Sequence, residues 1–122
     1  MLSYKKLDAW TYSMDIVKEI YLLTKSYPKE EMFGLTSQTK RAAISIPCNI
    51  AEGLGRNFKK DSIQFLYISR GSAYELETLL SVAAMVQIFV QEVYVRLNQM
   101  LEKCIRLING LIHYLKEESN LR

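Results

Sequence analysis

Between Gln38 and Arg56 the chain reads QTKRAAISIPCNIAEGLGR, and its polar residues fall at helical spacing. At 100° per residue, Gln38, Arg41, Ser45, Asn49 and Glu52 share a stripe about 80° wide. Leu35, Ala42, Ile46, Ile50 and Gly53 run beside that stripe, and Ile44, Cys48 and Ala51 lie on the far side. A helix that is apolar nearly all round is a buried helix. The expectation is therefore an internal polar network, with Arg41 the partner of Glu52 and with Ser72 and Glu75 joining from a neighbouring helix. Its role would be structural. A buried charge stripped of its partner costs about 3–5 kcal/mol, so Glu52→Ala should destabilise the fold or its assembly.

A second set is basic. Arg56, Lys59 and Lys60 concentrate at one turn, with Lys40 further back along the preceding helix. Cations so placed can meet phosphate oxygens. A formal net charge of +3 permits a nucleic-acid partner without demanding one. In one chain the set is sparse, because each neutralised phosphate contributes modestly and in a salt-dependent way. Repetition by rotational symmetry would join several copies into a continuous basic rim. Tyr67, Arg70 and Tyr74, at i, i+3 and i+7, could offer stacking faces to unpaired bases, but an amphipathic boundary or subunit contact is the preferred expectation.

Other chemistry lacks its residues. Gly53-Leu54-Gly55 reads as a helix stop, not a phosphate-cradling loop. His113 is the only histidine, so no His-based dyad and no Glu-x-x-His di-iron pair can form. Glu75 and Glu77 point to different faces of one helix and make no acid–base pair. Cys48 and Cys104 occupy apolar helical positions and read as reduced core residues. The expectation is a non-enzymatic protein without metal or cofactor.

The elements that position these residues follow from periodicity. The 122 residues suffice for one domain, 1–122, with one core, and only two prolines and five glycines interrupt them. A first helix is expected over 3–26, capped by Ser3. Leu7, Trp10, Met14, Val17 and Tyr21 form its bundle-facing stripe, and Ala9, Tyr12, Ile16, Ile20 and Leu23 a second patch that either packs under a loop or is partly exposed, or, the preferred expectation, makes a subunit interface. Tyr27-Pro28 ends it. A second helix spans 35–54, with a kink expected near Pro47. A third, capped by Asn57 or Asp61, runs to about Phe89. Its apolar arc includes Phe65, Leu66, Ile68, Ala73, Leu76, Leu79, Leu80, Ala83, Ala84 and Val86. A fourth spans 91–118, with Val93, Leu97, Met100, Leu101, Cys104, Ile105, Leu107, Ile108, Leu111, Ile112 and Leu115 in an arc about 160° wide that suits two neighbours. Four amphipathic helices with short connections predict an all-α, antiparallel up-down-up-down four-helix bundle. No apolar run approaches the roughly 20 residues that span a bilayer, and the first ten residues lack a signal-peptide core. A cytoplasmic location is the expectation.

The segments Leu7-Asp-Ala-Trp10, Tyr27-Pro28, Glu31-Met-Phe33-Gly34-Leu35, Arg41-Ala-Ala-Ile-Ser45, Asn49-Ile-Ala-Glu52-Gly53 and Gly71-Ser72-Ala-Tyr-Glu75-Leu76 together resemble the bacterial family named for the 23S rRNA intervening sequence protein. The resemblance covers nearly the whole chain. It implies a four-helix bundle assembled as a homopentameric ring. It also implies kinship with the similar pentameric accessory proteins of diversity-generating retroelements, which bind RNA and a reverse transcriptase. RNA and a reverse transcriptase or other protein are thus the implied partners. No catalytic residue carries over. The alternative is a protein-interaction scaffold with no nucleic-acid role.

Overall fold

The computed structural model describes residues 7–120, which form four α-helices and no strand. They are α1 (Asp8–Thr24), α2 (Leu35–Leu54), α3 (Lys59–Met85) and α4 (Gln91–Asn120), with a single 3-10 turn, Lys29–Glu31, between the first two. Each helix packs on its neighbours in the order α1, α2, α3, α4 and back to α1. Every such pair is antiparallel, because partners climb along one helix as they descend the other. Ser45 and Ser69 bridge α2 to α3 through Ser72 and Ile46. Arg70 reaches Asn109, and Ser81 meets Tyr94. Tyr12 lies under Lys103, and Glu19 pairs with Arg96. Of α1's two seams, the one with α2 is far more extensive than the one with α4.

The helix ends follow local chemistry. Leu7, extended at φ −85° and ψ 134°, precedes α1 without a side-chain cap. Asp8 places a negative charge in the first turn, where the helix dipole favours it. The expected cap, Ser3, lies outside the described residues. Before α2, the Glu31 carboxylate accepts a hydrogen bond from the Leu35 N–H at 3.3 Å, satisfying one of the free donors at the helix start. The helix then runs unbroken through Pro47. The third helix is preceded by Phe58 in extended conformation, not capped by Asn57 or Asp61. It stops at Met85, short of the expected Phe89. There Gln87 adopts φ 65°, its N–H bonds to Ala84 O at 3.0 Å, and the Ile88 N–H bonds to Ala83 O at 2.9 Å. This pair of bonds closes a helix end even though the left-handed residue is not glycine.

The core corrects the reading of α1. Ala9, Ser13, Ile16, Ile20 and Thr24 face inward. The stripe expected there turns outward instead, with Met14 and Tyr21 exposed and Trp10 and Val17 half-buried. Hydroxyls decided the matter. Ser13 donates to Trp10 O at 2.7 Å and Thr24 to Ile20 O at 2.9 Å. A hydroxyl bonded to its own helix can be buried without an unpaired group. Ile68 of α3 and Val86 just past its end are likewise outside, while Ser62, Ser69 and Ser72 are buried. On α4 the inward arc is the expected one, from Leu97 to Leu115. Cys104 is fully buried, but Cys48 faces outward; both thiols are free.

Candidate functional site

The polar stripe of α2 lies at the α2–α3 seam, and its middle forms a hydrogen-bonded set. Ser45 and Ser72 share a hydrogen bond of 2.7 Å. The Asn49 amide donates to Ser45 O at 2.8 Å and to Ser45 Oγ at 2.9 Å. Nearby, Ser69 donates to Ile46 O at 2.8 Å, at the proline step of α2. Gly53 permits this approach: a Cβ there would sit 2.9 Å from both Phe65 Cβ and Ser62 O. Its role is therefore close packing inside the helix, not the helix stop. Gly55 occupies the C-terminal position instead.

The charged ends of the stripe are not internal. Arg41 and Glu52 are both exposed. They are eleven residues apart, about 16 Å along the axis, so they cannot pair. Glu52 instead meets Arg56 at 3.3 Å, one turn on. Arg41 lines a shallow depression with Gln38, Ala42, Ser45 and Glu75, without an ion pair to Glu75.

The basic turn is displayed at one end of the bundle. Arg56 lies over the Phe65 ring at 4.5 Å in addition to pairing with Glu52. Lys59 reaches Glu118 of α4 at 2.8 Å and fastens the start of α3 to the end of α4. Lys60 is exposed and has no ion pair among the described residues. Phe58 beside them is 70% exposed, and Asn57, Phe58, Lys59, Lys60 and Ser119 line one depression. Exposed ion pairs hold their partners weakly, so phosphate can compete for Arg56. Lys40 does not join this set. It sits sixteen residues from Arg56, about 24 Å along the helix, over the Tyr21 ring at 4.9 Å.

Further along α3, Tyr67 lies under two cations, Arg70 at 5.0 Å and Lys116 of α4 at 5.4 Å. Arg70 also donates to Asn109 Oδ1 at 2.8 Å, so it serves the α3–α4 contact. Tyr74 is half exposed. Lys116 and Phe58 were not singled out in the sequence. The Lys116 position needs the pairing of α3 with α4, which no local pattern carries. Phe58, an aromatic directly before two lysines, carries a local signal.

The sequence matches the family model described as "23S rRNA-intervening sequence protein" over residues 5–110. Among solved structures, the chain is similar to a protein of unknown function from the S23 ribosomal protein family of Bacteroides thetaiotaomicron. The TM-score is 0.80 at 24% identity, covering 86% of this chain and 95% of that one. At that identity the likeness speaks for the fold. No curated protein matches the chain.

Proposed function

The chain belongs to the 23S rRNA-intervening sequence protein family, and from that premise we propose that it is a non-enzymatic, oligomeric, cytoplasmic protein that binds RNA through the turn between α2 and α3. The observation that carries this reading is the depression at one end of the bundle lined by the exposed Phe58 with Lys59 and Lys60, with Arg56 two residues before it in the same turn. Cations supply the sequence-independent attraction to phosphate, and an exposed aromatic supplies a stacking face for an unpaired base. Assembly as a homo-oligomer, a ring of five on the family resemblance, multiplies the cluster. A protein partner such as a reverse transcriptase belongs to the same reading.

The test is RNA binding by fluorescence anisotropy across a salt series, on protein purified with nuclease. Replacing Arg56, Lys59 and Lys60 together by alanine should weaken binding and flatten its log–log salt slope by about 2, three lost single-strand contacts at roughly 0.7 each. Unchanged affinity and slope would remove the turn as the site. The scaffold reading is favoured by exposed apolar residues in the connection between α1 and α2, where Phe33 is 93% exposed and Met32 52%. Specific capture of a protein that persists through nuclease treatment would favour it.

A further inference from the structure

The last turn of α4 carries acid where a helix end disfavours it. Glu117 and Glu118 stand at the negative end of the helix dipole, in a turn with no basic residue. Lys59 and Lys60, followed by Asp61, open α3 at the positive end of its dipole, where cations are disfavoured. Each end is thus of the wrong sign for its own helix and of the right sign for the other.

Glu118 makes the connection. Its Oε2 accepts a hydrogen bond from the Lys59 ammonium at 2.8 Å, and its Oε1 accepts one from the Tyr114 hydroxyl at 2.7 Å. The second bond orients the carboxylate from within α4. Lys59 is left with 24% of its side chain exposed, whereas Lys60 is exposed and has no ion pair among the described residues. Ser119 lines the same depression as Phe58, Lys59 and Lys60. The end of α4 is therefore one wall of the candidate anion site. An anionic oxygen at that distance from an ammonium is what a phosphate contact consists of, so Glu118 already occupies the place on Lys59 that a phosphate oxygen would take. Glu117, one residue earlier, is paired instead with His113 at 3.8 Å.

We infer that Glu118 is an internal competitor for phosphate: the end of α4 closes the basic turn on itself, and RNA binds by lifting the carboxylate from Lys59. The inference rests on the RNA reading proposed above and adds to it the regulation of the same turn.

The experiment measures the affinity of an unstructured oligouridylate by fluorescence anisotropy at low salt, with circular dichroism confirming that each variant keeps its helices. Glu118→Gln removes the charge and keeps an acceptor for Tyr114. It should bind about two- to fivefold more tightly than the wild type, the strength of a partly exposed ion pair read as a ratio. The gain should shrink as salt rises. Glu117→Gln makes the same change of net charge away from Lys59 and should give less than half of that gain. In a Lys59→Ala background the Glu118→Gln step should change nothing. Equal gains from Glu117→Gln and Glu118→Gln, a gain that survives Lys59→Ala, or a Glu118→Gln affinity at or below the wild type would each overturn the inference and leave Glu118 a fastener of α3 to α4. The same series with inorganic polyphosphate separates the two proposals. Polyphosphate binding that strengthens in Glu118→Gln while no variant binds RNA sustains the carboxylate's role and overturns the RNA reading. RNA binding that ignores Glu118 does the reverse, and no binding of either polyanion overturns both.

Discussion

The seam between α2 and α3 and the outward face of α1 and α2 invert the usual division of residue types. The seam is made of Ser45, Ser69, Ser72, Asn49 and Gly53, small and polar, and it is closed. The outward face carries Met14, Tyr21 and Ile44, large, apolar and exposed. What separates them is where a hydrogen bond can be completed and how close two backbones can come. A serine bonded across the seam is at home in the interior, while a methionine on the outer wall of a helix stays outside whatever its hydrophobicity. Inside and outside were settled by packing geometry, and hydropathy ranked the two regions in the wrong order.

The two cysteines test that contrast with the largest effect. Burial pushes the Cys104 thiol from 9.0 up to about 12, and burial likewise pushes the Tyr27 hydroxyl from 10.0 to about 12. Both groups are neutral when protonated, and the folded state holds the proton more tightly than the unfolded chain. Their contribution is complete below pH 9 and is lost as pH rises toward 12, on the order of several kcal/mol together. Unfolding free energy should be flat up to about pH 9 and then fall, and Cys104→Ala should flatten the first part of the descent. Replacing the outward Cys48 by alanine should leave the profile unchanged. A Cys48→Ala profile that flattens as much as that of Cys104→Ala would mean that both thiols are core residues.

The two glycines sharpen the comparison with smaller effects of opposite sign. Gly53→Ala drives a Cβ to 2.9 Å from the Ser62 carbonyl and the Phe65 Cβ, neither of which is the free end of a flexible chain. The helices must part, at a cost of about 1–3 kcal/mol. Gly71→Ala meets open space. It should stabilise the fold by about 0.5–1 kcal/mol through helix propensity alone. Urea unfolding of both variants measures the difference. Equal losses at the two sites would show that α3 is approached from both sides within one chain.

Much of this fold was legible in the chain. The bounds of α2 and the inward arc of α4 follow from apolar periodicity, since Leu97, Leu101, Cys104, Ile108 and Ile112 leave α4 only one way to face. The orientation of α1 was not legible. It carries two apolar stripes, and Ser13 and Thr24 look like solvent-facing residues until their bonds to Trp10 and Ile20 carbonyls are counted. The end of α3 was missed because Gln87 carries no turn signature while adopting a left-handed conformation. The basic turn at Arg56, Lys59 and Lys60 was visible as composition. Its fastening to Glu118, and the distance separating it from Lys40, required the third dimension.

Glu52 is where the polar stripe and the outer surface meet, and it gives the smallest effect. A buried Glu52 paired with Arg41 would lose several kcal/mol on replacement by alanine. The Glu52 side chain is 56% exposed and its partner Arg56 is 43% exposed. Exposed pairs one helical turn apart contribute about 0.3–0.5 kcal/mol, screened further by salt. Glu52→Ala should therefore change unfolding free energy by no more than about 0.5 kcal/mol. It also frees Arg56 for phosphate, so RNA affinity measured at low salt should rise slightly and converge on the wild type at high salt. A loss of several kcal/mol would return Glu52 to the interior and draw the boundary between seam and surface one turn further along α2.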